Sequence, residues 1–457
     1  MRINPAISSR PRINALRVFL RYVAVFVCIT LFGLLLLYAA GRVPQQKVRK
    51  GLLQSRPVLE EMYGGFHDGI NPSILGFSRS NYWLDPDTEG KILQLSYQMD
   101  TEANPVNVLL NPMYTGDETF LQTVEDGQTD YADEDTTYYV RYWMGFRAFV
   151  RPLLSICDYL DIRQLFIWIV GLLCLGAALT LQKHVNWFAA MLFGICFLGA
   201  GGITISISIH YSMCFILAFA GIIAMPLTTR EDRLLSGPML LFILGALTQY
   251  FDFYSAPLVT CILPTVTHLL ISQKKGGLQT PATSLARMGQ CLLAWLAAYL
   301  GMWLCKLTLT QLFTNQPAFS SALKAVRFWM IHDATTPTYF HAKNALLMCG
   351  KSLLSYELIA FSIVAAGIWL ILFCKNPAKR AGFLRSICYL VLGALPVLWI
   401  IMTTRPSITH FYFQYRTLSG TIMALGGFAV CSVLRTDANG ALSQKPAITN
   451  DKTDKGA

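Results

Sequence analysis

Residues 22–40 read YVAVFVCITLFGLLLLYAA, an apolar run without a charged side chain. The run is long enough to cross a hydrocarbon core of roughly 30 Å. Tyr38-Ala39-Ala40 at its end also fits a signal-peptidase site, but the length of the run favours an uncleaved anchor. The 457-residue chain is 54% hydrophobic and only 14% charged, too apolar for a water-soluble globular protein. The sequence therefore predicts an all-α polytopic membrane protein.

Further apolar runs of spanning length follow, and with the first they predict about ten transmembrane helices. These runs are Ile162–Leu181, Trp187–Ile203, Tyr211–Thr228, Leu235–Tyr250, Ser255–Ser272, Leu285–Leu304, Leu353–Cys374, Ile387–Met402 and Phe413–Leu434. If the amino terminus is cytoplasmic, basic clusters such as Lys274/Lys275 and Lys375–Arg385 all lie on the inner side. The cluster Arg42–Lys50 is the exception. We expect a multi-pass protein of the cell membrane with both termini in the cytoplasm.

The predicted organisation has four parts. Residues 1–40 hold the cytoplasmic amino terminus and the first span, 41–161 an extracytoplasmic loop, 162–434 the transmembrane bundle, and 435–457 a disordered cytoplasmic tail. The loop contains eighteen of the 26 acidic residues but only ten of the 37 basic ones, in a chain of net charge +11. An acidic aqueous segment on a basic membrane protein indicates a site for a cation or for carboxylate chemistry.

The large first loop has mixed local patterns. Gly, Pro and Asn residues separate short apolar pieces, which predicts a small irregular subdomain. Between Tyr138 and Tyr159, aromatic and aliphatic residues recur at helical spacing, and Arg141, Arg147 and Arg151 occupy polar positions. This pattern predicts an amphipathic helix in the membrane interface, with its arginines toward lipid headgroups. A weaker example covers residues 318–331.

The sharpest local motif is Leu84-Asp85-Pro86-Asp87-Thr88-Glu89. One interpretation is structural, because a proline in the first helical turn fits Asp85 as the N-cap, with Asp87 and Glu89 near the positive end of the helix dipole. The other is chemical, because a pair of carboxylates can hold a divalent cation or take a proton from an acceptor hydroxyl. The acidic run Asp130–Asp135 is better explained as a solvated loop.

Other polar residues occur where spans meet the predicted outer face. Asp252 lies between aromatic residues, where an ionised carboxylate is costly without a partner. Lys306 ends a span, His410 lies in a short loop, and Arg416 lies about one turn into the last span. An arginine at that depth normally pairs with a carboxylate or binds a phosphate, although it can also snorkel to the interface. The basic residues form no continuous face, so a nucleic-acid partner is not expected.

The motifs around Asp85–Glu89, Tyr139–Phe146, Tyr250–Phe253 and His410–Arg416 resemble the GT-C superfamily of polytopic glycosyltransferases and uncharacterised envelope proteins of Gram-positive bacteria. The resemblance covers most of the chain. Shared features are a cytoplasmic amino end, a large first outer loop with an acidic motif, and interfacial helices in that loop. In many GT-C enzymes the acidic motif follows the first span more closely, which makes Asp68 a competitor of Asp85.

This resemblance implies transfer of a sugar from a polyprenyl-phosphate donor to a cell-envelope glycan or lipid acceptor on the outer face of the membrane. Asp85 or Asp87 would then be the general base or a metal ligand, with Asp252 as a further catalytic candidate. The leaving lipid phosphate would bind Lys306 and Arg416, and Glu89 and His410 would contact substrate. The sequence does not decide whether a divalent cation such as Mg²⁺ or Mn²⁺ takes part.

Two other classes of function remain open from the sequence. A lipid or polysaccharide transporter or flippase also has many spans, but it usually shows interrupted helices, internal repeats and charges near the bilayer midplane. A non-catalytic envelope scaffold would tolerate the loss of every carboxylate. The clustering of charges at one face favours chemistry at the membrane surface over transport.

Overall fold

The computed structural model describes residues 10–64, 84–99, 101–102, 104–115, 120–127, 135–229, 235–252, 254–276, 278, 280–330, 340–376 and 379–434. Within these ranges the chain is almost entirely helical, with one small antiparallel sheet of two strands. Asp68, the run from Asp130 to Glu134 and the predicted tail 435–457 lie outside the described residues.

The first helix and the polar insert contain these elements: α1 (Arg10–Gly41), α2 (Gln45–Gln54), α3 (Arg56–Gly64), α4 (Pro86–Tyr97), α5 (Asn107–Leu110), β1 (Pro112–Tyr114), α6 (Phe120–Asp126), β2 (Thr136–Tyr138) and α7 (Arg147–Leu154). The two strands pair with Met113 opposite Thr137. In the described part of the insert, the chain forms these short helices and the two-stranded sheet.

The remaining helices form the bundle. They are α8 (Tyr159–His184), α9 (Trp187–Gly199), α10 (Gly202–Ile207), α11 (Ile209–Ala224), α12 (Gly237–Phe251), α13 (Pro257–Lys274), α14 (Pro281–Phe313), α15 (Ala318–Met330), α16 (Ala342–Leu353), α17 (Tyr356–Cys374), α18 (Lys379–Met402), α19 (Thr404–Thr409), α20 (Phe411–Gln414) and α21 (Ser419–Val433). One 3₁₀ helix, Met225–Thr229, follows α11, and another, Tyr415–Leu418, joins α20 to α21.

The described helices support a membrane-embedded protein with fewer clear spans than the ten predicted. Six are long and apolar enough to cross a bilayer, and a seventh results if α16 and α17, bent by 81°, count as one. The predicted run Trp187–Ile203 breaks at Gly201, whose φ of 78° ends regular helix. The run Leu235–Tyr250 forms a helix of only 15 residues. A continuous apolar run therefore does not guarantee a continuous helix.

The bundle core joins α8, α9, α11, α13 and α21, and α12 packs closely along α14. Gly245 makes the close contact between α12 and α14 possible, because a Cβ atom there would lie 2.3 Å from the Trp295 carbonyl oxygen. Small residues at helix contacts let backbones approach each other where bilayer lipid supplies no hydrophobic drive.

The prediction of one interfacial helix from Tyr138 to Tyr159 is wrong in two respects. The helix is shorter, and Arg147 and Arg151 face protein. Only Arg147–Leu154 is helical, because Met144 has a φ of 54°, outside the helical region. Trp143, Arg147 and Arg151 are all fully buried in protein. Arg147 and Arg151 donate to backbone carbonyls of the insert, and Arg141 donates to Ser321 Oγ of α15. Residues 318–330, in contrast, do form an amphipathic helix, α15.

We expect Gly245→Ala to destabilise the bundle, because the added Cβ collides with a backbone atom that cannot rotate away. The cost should be about 1–3 kcal/mol, larger than the gain of about 1 kcal/mol in helix propensity. Thermal unfolding in detergent measures the change. Gly289→Ala in α14 is the matched control, since a Cβ there meets nothing within 4 Å. Equal unfolding temperatures for the two variants would contradict the close contact.

The topology predicts opposite sides for Thr137 in the insert and Lys183 at the end of α8. Both side chains are exposed. In a background with the exposed Cys28 and Cys374 changed to serine, a membrane-impermeant maleimide should label Thr137→Cys on intact cells and Lys183→Cys only after lysis. Labelling of both from outside would refute the predicted orientation.

Candidate functional site

Two adjacent cavities lie where the insert meets the bundle. The larger, with a volume of about 570 Å³, is lined almost wholly by apolar atoms of α12, α13, α14, α15 and α18. We call it the apolar chamber. The smaller, about 220 Å³, is lined by α4, the segment after β2, and the helices around His410. We call it the polar pocket.

Four residues line both cavities, namely Arg141, Tyr142, Tyr254 and Trp329. This boundary combines one cation with three aromatic rings. The Arg141 guanidinium lies 5.7 Å from the centre of the Tyr142 ring and donates to Ser321 Oγ at 3.2 Å. No ion pair joins Arg141 to a carboxylate among the described residues. The boundary therefore offers a positive charge between an apolar and a polar space.

The polar pocket contains two of the predicted site residues, Asp87 and His410. The Asp87 side chain is about half exposed and binds Lys91 Nζ at 2.6 Å, one helical turn later in α4. Burial opposes the protonation of Lys91, but the hydrogen bond and charge of Asp87 outweigh it and raise the lysine pKa. Asp87, Lys91 and Arg141 thus give the pocket both signs of charge.

His410 forms the opposite wall and is connected to Asp85 through a tyrosine. Tyr412 Oη lies 3.3 Å from His410 Nδ1 and 3.5 Å from Asp85 Oδ2. Partial burial lowers the pKa of His410, and Lys91 acts in the same direction, although Asp85 and Asp87 oppose the shift. The imidazole is therefore neutral near pH 7 and able to accept a proton.

Asp85 itself is the N-cap of α4. Its Oδ1 accepts from Thr88 N at 3.0 Å, its Oδ2 accepts from Thr88 Oγ1 at 2.5 Å, and the residue is 3% exposed. Pro86 occupies the first helical position, as expected for this type of helix start. Of the two interpretations of the motif, the structural one holds for Asp85, and Asp87 is left as the carboxylate that faces the pocket.

Glu89, a predicted substrate contact, has both carboxylate oxygens bound to groups of the protein. Its Oε1 accepts from Ser208 Oγ at 2.6 Å and from His210 N at 2.8 Å, and its Oε2 accepts from Tyr159 Oη at 2.7 Å. The residue is 1% exposed. Both oxygens are thus used to attach α4 to the starts of α8 and α11.

Asp252, a predicted catalytic residue, lines neither cavity. It is 6% exposed, and its Oδ1 accepts from the N and Oγ of Ser255 at 3.0 and 2.6 Å. The carboxylate lies close enough to Tyr254 and Tyr299 in the chamber wall to interact with them electrostatically. Asp252 therefore lies behind the residues that form the wall of the apolar chamber.

Lys306 and Arg416 were predicted to bind a lipid phosphate, but both are buried away from the cavities. Lys306 Nζ donates to the Leu109 carbonyl at 2.5 Å. Arg416 donates to the Tyr412 carbonyl at 2.7 Å and to Thr204 Oγ1 at 2.8 Å, and its guanidinium lies 3.8 Å from the centre of the Tyr211 ring. These cations bind neutral groups of the protein.

Sequence reasoning missed Arg141, Lys91 and Tyr254. Arg141 was assigned to the headgroup face of the predicted helix, and only the break at Met144 separates it from Arg147 and Arg151. Lys91 had a usable signal, because its spacing of four from Asp87 on a helix predicts a contact between the two. No signal in the sequence identifies Tyr254, because its position depends on an unusual backbone angle.

A metal-dependent site is poorly supported by the donors that face the pocket. Among the described residues, no group of three or more His, Cys, Asp and Glu side chains is arranged to hold a metal ion. Asp85 uses both oxygens on Thr88, and Asp87 binds Lys91. The described side chains of the polar pocket therefore do not supply the several oxygen ligands that a divalent cation such as Mg²⁺ needs.

Comparisons of the chain with protein family models, curated proteins and solved structures each found no match.

The buried Glu89 predicts a pH dependence of stability. Burial raises its pKa above the ordinary 4.5, although its three hydrogen bonds oppose the shift. The folded state then holds this proton more tightly than the unfolded state, so the contribution of Glu89 falls as the pH rises from about 4.5 toward the raised pKa. Glu89→Gln cannot titrate. We expect the unfolding temperature of the wild type, relative to this variant, to decrease across that range.

The surface variant Asp126→Asn is the control, because its side chain is exposed on α6. It should keep the pH profile of the wild type. A wild type that gains stability over Glu89→Gln as the pH rises would show that the hydrogen bonds outweigh burial.

Proposed function

We propose that this protein is a membrane glycosyltransferase of the GT-C type, which transfers a sugar from a polyprenyl-phosphate donor to an acceptor of the cell envelope. One observation carries the proposal: an apolar chamber and a polar pocket adjoin at a boundary that contains Arg141. A lipid-linked sugar has the same three parts in the same order, a hydrocarbon chain, an anionic phosphate and a polar sugar.

The chamber suits the hydrocarbon chain. Its volume of about 570 Å³ lies in the range of roughly 300–1,000 Å³ that ligand cavities usually have. Aromatic side chains such as Trp295, Tyr299 and Trp399 provide much of its wall. Because bilayer lipid is as apolar as the chamber wall, close packing of the chain against these side chains would supply the binding energy.

The phosphate would bind at the boundary. An arginine presents several donors in a fixed plane and recognises phosphate oxygens well. Arg141 is the boundary cation, and Lys91 lies in the same pocket. In the transfer step, the bond between the sugar and the phosphate oxygen breaks, and negative charge grows on the phosphate that leaves with the lipid. Fixed cations beside that oxygen stabilise the developing charge.

The acceptor hydroxyl would lose its proton in the polar pocket. Asp87 is the half-exposed carboxylate there, and His410 also lines the pocket. Either group can take a proton from a hydroxyl within hydrogen-bond distance. We assign Asp87 as the general base, because it is the carboxylate that lines the pocket and a substrate phosphate can replace it as the partner of Lys91. Membrane lipid surrounds the bundle and supplies the donor.

A lipid transporter or flippase is the second candidate, and the broken helices favour it. The bend of 81° between α16 and α17, and the break at Gly201 between α9 and α10, are interruptions of the kind found in transporters. Transport needs the chamber and a phosphate ligand, but it does not need a base. Variants of Asp87 therefore separate the two candidates.

We expect Asp87→Asn to reduce sugar transfer by about 10²–10⁴-fold while leaving the protein folded, because asparagine keeps the shape of the side chain but cannot accept the proton. The assay uses purified protein in nanodiscs, a panel of tritiated sugars linked to polyprenyl phosphate, and cell-envelope acceptor fractions. His410→Gln, measured in parallel, tests the imidazole as the alternative base.

Two matched acids serve as controls. Asp85→Asn should keep the helix cap and most of the activity, because asparagine caps helices about as well as aspartate. Asp126→Asn changes an exposed acid on α6 that lines neither cavity. If wild-type protein moves lipid between leaflets without transferring sugar, and the Asp87 variant does so equally, the transporter is the right class. If it does neither, a scaffold remains.

A further inference from the structure

Tyr254 has an unusual position and an unusual backbone. Its side chain lines both the apolar chamber and the polar pocket. Its φ is 65°, in the left-handed region that is unfavourable for residues with a side chain. Such a conformation persists only where the surrounding structure holds it, and it occurs disproportionately at functional sites. Neighbouring residues must therefore hold Tyr254 at the boundary.

Aromatic contacts fix the ring. It stacks on Trp329 of α15, with ring centres 4.9 Å apart and planes at 26°, and it packs at 5.5 Å against Trp399 of α18. Its carbonyl oxygen accepts from Gln414 Nε2 at 2.9 Å. Helices on different sides of the chamber therefore converge on this residue.

The backbone next to Tyr254 is anchored by Asp252. Oδ1 of Asp252 accepts from both the N and the Oγ of Ser255, the residue directly after Tyr254. Asp252 is buried behind the wall and lines neither cavity. These two bonds require an acceptor oxygen but no negative charge, so an asparagine would preserve them.

We infer that Tyr254 is a specificity-determining residue that separates the apolar chamber from the polar pocket, and that Asp252 is the positioning residue that holds it there. The consequence for catalysis rests on the proposed function. A chain that fills an open apolar cavity can slide along it, and its phosphate can then lie at several depths. A ring at the boundary beside Arg141 stops the chain at one depth and sets the bond to be broken beside Asp87.

The native Cys261 tests the separation without any need for sugar transfer. Its thiol lines the chamber, and the residue is 2% exposed. The reagent 2-sulfonatoethyl methanethiosulfonate is anionic, so it reaches the chamber from the aqueous polar pocket and not from the bilayer. Its rate of reaction at Cys261, measured by mass spectrometry on protein in nanodiscs, reports how often the boundary is open.

We expect Tyr254→Ala to accelerate modification of Cys261 by about tenfold or more, because both the ring and its stacking on Trp329 are lost. Tyr254→Phe should react at the wild-type rate, since the barrier is the ring and not the hydroxyl. Asp252→Ala should accelerate the reaction as well, whereas Asp252→Asn should behave like the wild type. Cys196 is the internal control, because it is buried in the bundle and lines neither cavity.

An unchanged rate at Cys261 in Tyr254→Ala would overturn the inference. Equal acceleration at Cys196 would also overturn it, because the variant would then have loosened the whole bundle. An unchanged rate in Asp252→Ala would remove the positioning role of that residue. If the rates at Cys261 follow the expectation but no sugar is transferred by wild-type protein, the proposed function fails and the boundary role of Tyr254 stands.

Where transfer is observed, Tyr254→Ala should lower kcat more than it raises KM, because the chain still binds but the phosphate no longer stops at one depth. An increase in KM alone, with kcat unchanged, would mean that the ring only contributes binding area.

Discussion

The structure depends on buried arginines that bind backbone carbonyl oxygens. Arg147 donates to the carbonyls of Met144 and Val108, and Arg151 donates to those of Ser96, Tyr97 and Val43. Both arginines are fully buried. Much of the insert is irregular, so many of its carbonyls have no partner in a helix or sheet, and an unpaired buried carbonyl is costly. Two guanidinium groups on one face of α7 satisfy them and connect α7 to α4, to α5 and to the segment between α1 and α2.

The same constraint explains why most charged residues near the predicted outer face are bound to protein groups. Lys306 binds a carbonyl of α5, Arg416 binds Tyr412 and Thr204, and Glu89 joins α4 to α8 and α11. Each of these side chains forms hydrogen bonds that attach the insert to the helices or connect helices across a break. The groups that remain at the pocket are Asp87 with Lys91, the neutral His410, and Arg141. The candidate site therefore consists of those charged or titratable side chains that line the pocket and do not hold the insert and the helices together.

The limits of sequence-based prediction follow from this physics. The cap at Asp85 and the amphipathic α15 were predictable because both depend on local sequence. Six of the predicted runs form helices that are long and apolar enough to cross a bilayer for the same reason, since length and hydropathy are local properties. The role of Arg147 was not predictable, because helical periodicity places a polar residue on a face but does not reveal whether water, lipid or protein covers that face. The predicted phosphate ligands Lys306 and Arg416 are buried against protein, which the same pattern does not reveal.

The position of Tyr254 could not be predicted because it results from three distant parts of the chain. Trp329, Trp399 and Gln414 contact it from α15, α18 and α20. Asp252 is conspicuous in the sequence as an acid between aromatic residues, and the cost of burying it predicts a special role. That role is the support of a strained neighbour, because its bonds go to Ser255 and not into a cavity. A buried carboxylate, whose burial is costly in free energy, can therefore indicate a functional site even when it supports a site residue and does not line the site itself.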